Sequence, residues 1–371
     1  MSANGRSTAG QPYLLAPEDL GGLLGDEPAY RTDQLTRWLY RTPVLDADRM
    51  SNLPEHVRAL LRDRLYPFDV EIEQSADGGR TRKWLFRTGD GASIESVLMG
   101  YPRRATLCIS SQAGCAMACT FCATGQFGFE RQLDAGEIAA QVAYAAAHVR
   151  THGLPDSPDH LTNIVFMGMG EPLANYRHVR ESLRRMIEVM GIGARSITVS
   201  TVGVVPGMRR LAEEPWQVNL AVSLHAADDE LRSRLVPLND RYPLAEVIAA
   251  AGDYMERKGR RVSIEWTLIA DTNDSDGQAS KLARIARDLS AHVNVIALNP
   301  TPLTPDLPPA HSRVERFLGV LRDAGANATL RDTRGQDIDA ACGQLRVRSA
   351  AIEIPVAVSA RDVGNEPASP E

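Results

Sequence analysis

The stretch ATLCISSQAGCAMACTFCATG, residues 105–125, decides the fold, because a strand-like run passes directly into three closely spaced cysteines. Cys115, Cys119 and Cys122 form a CxxxCxxC pattern, called the cysteine loop below. Three of the five cysteines in the chain fall within these eight residues, which favours metal or redox chemistry over a structural disulfide framework. Thiolates suit iron–sulfur clusters and zinc. Because a structural zinc site needs a fourth ligand and the loop supplies three, we expect a cluster with one iron left open.

Downstream of the cysteine loop, strand-like segments alternate with amphipathic stretches of helix length. The further predicted strands cover residues 163–168, 196–201, 218–224, 262–269, 293–299 and 328–333. Such alternation predicts an α/β fold with a parallel sheet, closed or partly closed as a (β/α) barrel, over residues 104–345.

Upstream of the cysteine loop, the pattern changes twice. Apolar residues at helical spacing predict a small N-terminal helical accessory domain at residues 21–67. Alternating residues bounded by glycine turns predict a short antiparallel β meander at residues 68–103. Residues 1–20 and 346–371 show no periodicity, and we expect a disordered N-terminal tail and a flexible C-terminal tail.

Polar motifs follow several predicted strands at the point where each strand ends. They are GMGEP at residues 168–172, Ser200, the run Ser223 to His225, and Asn299. Parallel α/β folds place their chemistry at the carboxyl ends of the strands. We therefore expect these motifs to form one site with the cysteine loop.

The composition indicates which classes of protein are excluded. Of 371 residues, 43% are hydrophobic and 24% are charged, as in a folded soluble protein rather than a disordered one. No apolar run is long enough to span a bilayer and no secretory signal pattern is visible, so we expect a cytoplasmic protein without a membrane segment. The net charge of -6 restricts any RNA-binding surface to a local patch. The candidate patch is the basic segment at residues 80–104, for which a solvated strand face is the alternative.

The motifs together resemble the RlmN/Cfr family of radical SAM RNA methyltransferases over about residues 25–345. The carriers are CAMACTFCATG at 115–125, MGMGEPL at 167–173, STVGVVP at 200–206, SLHA at 223–226 and TRGQDIDAACGQL at 333–345. The resemblance implies a radical SAM partial (β/α) barrel, one 4Fe-4S cluster held by the three cysteines of the loop, and S-adenosylmethionine as the cofactor on the open iron.

The resemblance also implies roles for individual residues. Cys342 would carry the methyl group as S-methylcysteine. Cys108 would resolve the covalent protein–RNA intermediate by forming a disulfide with Cys342, and Glu95 would accept the proton from the modified carbon. From the sequence alone, Glu95 is an ordinary exposed strand carboxylate. The cofactor contacts implied are Gly170, Glu171, Ser200, Ser223, Leu224, His225 and Asn299.

The implied reaction is methylation of carbon 2 of an adenosine in 23S rRNA and in some tRNAs, with an electron donor such as flavodoxin and a monomeric enzyme. Three alternatives remain open from the sequence. One is a Cfr-type enzyme that methylates carbon 8 of the adenosine. The second is a non-enzymatic RNA-binding protein with an iron–sulfur or zinc site, and the third is a radical SAM enzyme acting on a small molecule.

Overall fold

The computed structural model describes residues 10–301, 306–331, 334–341 and 343–345. Its centre is one ten-stranded sheet with the order β1-β2-β3-β4-β7-β8-β9-β10-β11-β12, and β5 pairs with β6 in a separate two-stranded sheet. The strands are β1 Phe68–Ala76, β2 Thr81–Thr88, β3 Ser93–Tyr101, β4 Arg104–Cys108, β5 Gln112–Gly114, β6 Phe129–Gln132, β7 Asn163–Phe166, β8 Ile197–Thr201, β9 Asn219–Ser223, β10 Ser263–Leu268, β11 His292–Ala297 and β12 Asn327–Leu330.

The described α-helices fall into an N-terminal group of three short helices and a set that follows the strands. They are α1 Gly21–Leu24, α2 Tyr30–Thr36, α3 Glu55–Leu61, α4 Ala123–Gln126, α5 Ala135–His152, α6 Tyr176–Arg184, α7 Val205–Glu213, α8 Asp229–Leu235, α9 Leu244–Lys258, α10 Asp276–Asp288 and α11 His311–Asp323. A π-helical turn extends α2 over Arg37–Arg41 and another extends α6 over Arg185–Val189.

From β4 to β12 all neighbouring strands in the large sheet run parallel. These strands are short and their centres are apolar, with side chains such as Ile164, Val199 and Val293 buried. Parallel sheets need cover on their faces, and the intervening helices supply it. The long α5 begins with a capping box, in which Asp134 and Glu137 each bond the other's backbone N–H. The predicted parallel α/β sheet is confirmed.

The antiparallel meander is continuous with the parallel sheet rather than a separate layer. β3 pairs with β4 in an antiparallel register that sets Val97 opposite Cys108, and only a tight turn separates Tyr101 from Arg104. The N-terminal region packs against the same body through aromatic rings: Tyr66 stacks on Tyr13 and meets Tyr144 of α5 edge to face. The meander therefore positions its side chains directly beside the first parallel strand.

The last described residues, 334–341 and 343–345, are called the C-terminal segment below. The segment starts at the β1–β2 turn, where the Gly335 N–H donates to the Asp77 carboxylate at 3.2 Å. It ends at the cysteine loop, where the Ala123 N–H donates to the Gly343 carbonyl at 2.8 Å and the Thr124 hydroxyl donates to the Leu345 carbonyl at 2.7 Å. The segment thus crosses the sheet from the meander to the loop.

None of the helices in the described ranges is both long and apolar enough to cross a bilayer.

Candidate active site

An open cleft lies at the carboxyl ends of the parallel strands and has about 900 Å³ of empty space, including the part open to solvent. Its walls bring together motifs that are far apart in sequence. Among the predicted site residues, the cleft is lined by Cys115, Cys119, Cys122, Gly170, Glu171, Ser200, Ser223 and His225. The expectation that the strand-end motifs share one cleft with the cysteine loop is therefore met for these eight residues.

Backbone contacts fix the course of the cysteine loop. The Cys115 N–H donates to the Gly128 carbonyl at 2.8 Å, and the Cys122 N–H donates to the Cys119 carbonyl at 3.2 Å. Gly114 has a φ of +72°, and a Cβ at this position would lie 2.1 Å from the Gly128 carbonyl oxygen. Only glycine suits both demands. The close approach of these two glycines holds the start of the loop against β6.

The three thiols of the loop lie in a sparsely solvated environment. Burial raises the pKa of the Cys115 thiol to about 12, and burial together with the two neighbouring thiols raises the pKa of Cys119 above its usual value. The described residues contain no ready-made group of side chains for a single metal ion. A 4Fe-4S cluster instead spreads its thiolate ligands over several irons. Three soft sulfur ligands that converge on one cleft, with no fourth protein ligand in the loop, fit a cluster with one open iron.

Gly170 and Glu171 form the turn that follows β7. Gly170 has a φ of +97°, and a Cβ there would lie 2.5 Å from the Cβ of Gln112. The two Glu171 carboxylate oxygens accept from the Leu173 N–H at 3.0 Å and the Val202 N–H at 2.9 Å. Burial raises the pKa of this carboxyl to about 7, against the opposing effect of these hydrogen bonds. A hydrogen bond from the Thr201 side chain also lowers the pKa of this carboxyl, so three groups of the protein hold Glu171 in place.

Ser200, Ser223 and His225 lie at the ends of β8 and β9. The two serine hydroxyl oxygens are 3.5 Å apart. His225 has a φ of +59°, a strained conformation for a residue with a side chain. Its Nδ1 accepts from the Thr267 N–H at 2.9 Å, and burial lowers the pKa of the ring to about 3. The ring is therefore neutral and its Nε2–H remains a donor, which excludes a role as a titrating acid near neutral pH.

Two predicted cofactor contacts lie elsewhere. Leu224 is a core side chain with 1% exposure, and its N–H and carbonyl are engaged by the Glu265 carbonyl and the Arg232 guanidinium. Asn299 lines a second cavity, which it shares with Cys108. Leu224 can contribute to the site only through the backbone that it anchors.

The second cavity adjoins the cleft. Met167, Ile296 and Arg331 line both, so these three side chains form a shared wall. Cys108 is buried in the second cavity beside Ala341 of the C-terminal segment. Cys342 lies outside the described residues. Its sequence neighbours are described: Ala341 lines the second cavity and Gly343 lines the cleft.

Glu95 is buried, contrary to the exposed strand carboxylate that the sequence alone predicts. The side chain is 3% exposed and its Oε1 lies 3.1 Å from the Nζ of Lys83, which is 8% exposed. The two line a third cavity together with Asp337, Ile338 and Asp339 of the C-terminal segment. A buried carboxylate that pairs with a lysine differs chemically from a solvated surface group.

The basic segment at residues 80–104 is largely neutralised by acids that precede it. Arg82 pairs with Glu73 at 2.6 Å, and Arg87 pairs with Glu71 at 2.8 Å across the β1–β2 ladder. Lys83 is buried against Glu95. The exposed cation Arg104 lies over the ring of Tyr101, at 4.1 Å from the ring centre. Pairing with acids or burial therefore accounts for three of the six basic residues of this segment.

Three polar residues of the cleft region were missed by the sequence patterns. Arg232 is fully buried behind the cleft and donates to the carbonyls of Val202 and Leu224. Glu265 and Arg331 line the cleft itself, and the Glu265 carboxylate accepts from the Asn294 amide at 2.7 Å. A signal existed for Glu265, because a carboxylate within the apolar strand VSIEWTLI needs a partner or a function.

The fold and the cysteine-lined cleft define a radical SAM enzyme, a class that binds a 4Fe-4S cluster and S-adenosylmethionine. Residues 109–283 match the Radical SAM superfamily, and residues 24–66 match the ribosomal RNA large subunit methyltransferase N-terminal domain. A crystal structure of a radical SAM methyltransferase from Sphaerobacter thermophilus is similar, with a TM-score of 0.84 and 51% identity over 90% of this chain and 98% of the other.

Similar proteins identify the family within the radical SAM superfamily. The probable dual-specificity RNA methyltransferase RlmN of Salinispora tropica is 49% identical over 92% of this chain and 95% of its own. The protein of the same description from Frankia alni is 51% identical over 87% of this chain and 79% of its own. The chain belongs to the RlmN family. The predicted fold, enzyme class and family are confirmed, and the Cfr-type alternative is not favoured.

Proposed function

We propose that the enzyme methylates carbon 2 of an adenosine in 23S rRNA and in some tRNAs. The observation that carries this proposal is identity near 50% to RlmN proteins along almost the whole chain, including the N-terminal domain. A match confined to the radical SAM core would leave the substrate open. The non-enzymatic alternative has no use for the cleft beyond the cysteine loop, and the small-molecule alternative has none for the N-terminal domain.

The residues that would hold the cofactors lie around the cleft. The cysteine loop would bind the cluster, and the turn at Gly170 and Glu171 with Ser200, Ser223 and the Nε2–H of His225 would bind S-adenosylmethionine. When bound, the cluster and S-adenosylmethionine would supply the methyl group and a radical that abstracts hydrogen. They would also take up the single electron that the RNA adduct loses. The protein contributes preformed donors and acceptors around that chemistry.

Cys342 and Cys108 would carry the methyl group and release the product. Carbon 2 of adenine has no acidic proton before addition, so direct displacement on a sulfonium methyl is a poor route. A methylene radical on the sulfur of Cys342 instead adds to carbon 2, and the adduct then loses one electron and the carbon-2 proton as the ring regains aromaticity. Glu95 would accept that proton.

Release then needs a second thiol. The Cys108 thiolate attacks the sulfur of Cys342, an S–S bond forms, and the electron pair of the broken C–S bond stays on the methylene carbon, which takes up a proton to become the methyl group. The position of Cys108 beside Ala341 supports this order of events. The resulting disulfide must be reduced before another cycle.

Further parts of the proposal concern the cell. We propose flavodoxin as the electron donor, a monomeric enzyme, and action in the cytoplasm, where its RNA substrates would be found. The N-terminal domain would bind the sugar–phosphate backbone of folded RNA while the target adenosine is extruded.

The test is mass spectrometry of nucleosides from 23S rRNA and bulk tRNA, with and without the gene. We expect 2-methyladenosine to disappear from both RNAs on deletion and to return with the wild-type gene. The matched control is complementation with Cys342→Ala, which should restore the protein but not the nucleoside. Loss of 8-methyladenosine instead would contradict the carbon-2 assignment, and no change in either nucleoside would contradict the RNA substrate.

A further inference from the structure

The third cavity contains a lysine that the reaction outlined above does not use. Lys83 is almost fully buried, and its Nζ lies 3.1 Å from the Oε1 of Glu95. The same Nζ donates to the carbonyl of Asp339 in the C-terminal segment at 3.3 Å. The cavity beside them has about 590 Å³ of empty space, including the part open to solvent, which is enough for several water molecules. Burial of an ammonium group costs desolvation free energy, so a buried lysine with two polar partners is a candidate for a functional role.

The strand register places this pair on the reactive side of the sheet. Lys83 is opposite Val97 in the β2–β3 ladder, and Val97 is opposite Cys108 in the β3–β4 ladder. Directly opposed residues share a face of the sheet, and so do residues two apart on one strand, such as Glu95 and Val97. Lys83, Glu95 and Cys108 therefore project from one face, the face that the C-terminal segment covers.

The electrostatics define what Lys83 can do there. A carboxyl group in a desolvated cavity favours its neutral form unless a positive charge lies close to it. A neutral acid cannot accept the proton of carbon 2. The Asp339 carbonyl keeps the ammonium from swinging to solvent, and the flexible stem of lysine would otherwise allow that. The attraction between the two charges is stronger than at the protein surface because both side chains are more than nine-tenths buried.

We propose that Lys83 is a positioning residue that keeps Glu95 ionised and aimed as the proton acceptor of the methylation reaction. This inference rests on the proposed function, in which Glu95 takes the proton from carbon 2. The electron pair of the C–H bond stays in the ring and the proton moves to the carboxylate. Lys83 then stands beside a neutral acid, which favours return of that proton to water in the cavity and readies Glu95 for the next cycle.

The variants that test it are Lys83→Met, Lys83→Arg, Glu95→Gln and the double variant Lys83→Met/Glu95→Gln. A matched control is Lys281→Met, which breaks a lysine–carboxylate pair that is solvent-exposed, with Nζ 2.8 Å from the Asp228 carboxylate. Each holoenzyme is incubated with RNA, cofactor and reductant. Cluster content, 5'-deoxyadenosine, methylated RNA and the covalent protein–RNA adduct on denaturing gels are measured.

We expect Lys83→Met to keep its cluster and form 5'-deoxyadenosine in the first turnover, while methylated RNA falls about 100-fold and the adduct accumulates. Lys83→Arg keeps the charge and should recover most product. The double variant should be no slower than Glu95→Gln, because Lys83 acts only through Glu95. It also buries no lone charge, which keeps the test valid if Lys83→Met folds poorly. The control should behave as wild type.

Three results would overturn the proposal. One is release of product by Lys83→Met at the wild-type rate. A second is loss of product without adduct in that variant, which indicates a structural defect upstream. A third is a double variant slower than Glu95→Gln, since Lys83 would then act outside Glu95. If Glu95→Gln itself releases product normally, the proposed role of Glu95 fails, and that failure is recognised before any Lys83 variant is compared.

Discussion

Replacement of Arg232 by methionine should destabilise the strand ends that form the cleft. The guanidinium is fully buried and makes three hydrogen bonds: to the Leu224 carbonyl at 3.2 Å, the Asn239 side-chain oxygen at 2.7 Å and the Val202 carbonyl at 2.5 Å. Val202 follows β8 and Leu224 follows β9. Methionine retains much of the apolar stem but satisfies none of these three acceptors.

The magnitude follows from those acceptors. A buried acceptor left without a donor costs about 1–3 kcal/mol, so three would cost about 3–9 kcal/mol. Removal of the buried charge offsets part of this cost, because burial already lowers the pKa of Arg232 to about 10 and so disfavours its charged form. We expect a net loss of about 3 kcal/mol in the free energy of unfolding.

Urea unfolding of the cluster-free protein measures that loss. With a denaturant slope of about 3 kcal/mol/M, the unfolding midpoint should fall by about 1 M urea. Arg234→Met is the matched control, since Arg234 is exposed on the same helix, α8, and should leave the midpoint unchanged. A loss below about 0.5 kcal/mol for Arg232→Met, or an equal loss for both variants, would refute the reasoning.

Three further predictions concern the site. Replacing any one cysteine of the cysteine loop by alanine should abolish the iron–sulfur absorbance and all methylation; an intact chromophore would exclude that residue as a ligand. Cys108→Ala should trap RNA on the protein, detected as a nuclease-sensitive shift on a denaturing gel, and absence of the shift would remove the resolving role. Gly170→Ala should weaken S-adenosylmethionine binding and lower the melting temperature, because its Cβ would lie 2.5 Å from the Cβ of Gln112. The control Gly128→Ala also has a positive φ but open space around its Cβ, so it should lower the melting temperature less. Equal effects of the two glycine variants in calorimetry would assign the whole penalty to backbone strain.

The parallel sheet could be predicted because its signals are local. Each buried strand between β7 and β11 appears in the sequence as a short apolar run, and each run is followed by an amphipathic stretch. The joining of the meander to that sheet could not be predicted, because strand pairing between β3 and β4 depends on which edges meet in three dimensions. The same holds for the course of the C-terminal segment.

The residues of the cleft divide in the same way. The cysteine loop and the Gly170–Glu171 turn carry recognisable spacing, and the structure brings them together. Arg232 carries no such signal, since an arginine in an amphipathic helix is usually solvated. Its burial becomes apparent only when α8 lies behind the ends of β8 and β9.

The charges of the meander show most directly why sequence counts mislead. Within residues 80–104 the basic residues outnumber the acids, which suggested a surface for RNA. The β1–β2 ladder brings Glu71 and Glu73 from outside that window to Arg87 and Arg82. The single lysine of the window, Lys83, points inward, to Glu95. A charge count over one stretch of sequence leaves out the partners on neighbouring strands, and in a sheet charged side chains pair across strands.

The C-terminal segment lines all three cavities. Asp337 to Asp339 lie at the cavity of Glu95, Ala341 at that of Cys108, and Gly343 at the cleft with the cysteine loop. Residues of one short segment therefore border the proposed proton acceptor Glu95, the proposed resolving thiol Cys108 and the cysteine loop. Because its described residues are bonded to the β1–β2 turn at one end and to the cysteine loop at the other, the segment spans the distance between the cavity of Glu95 and the cleft.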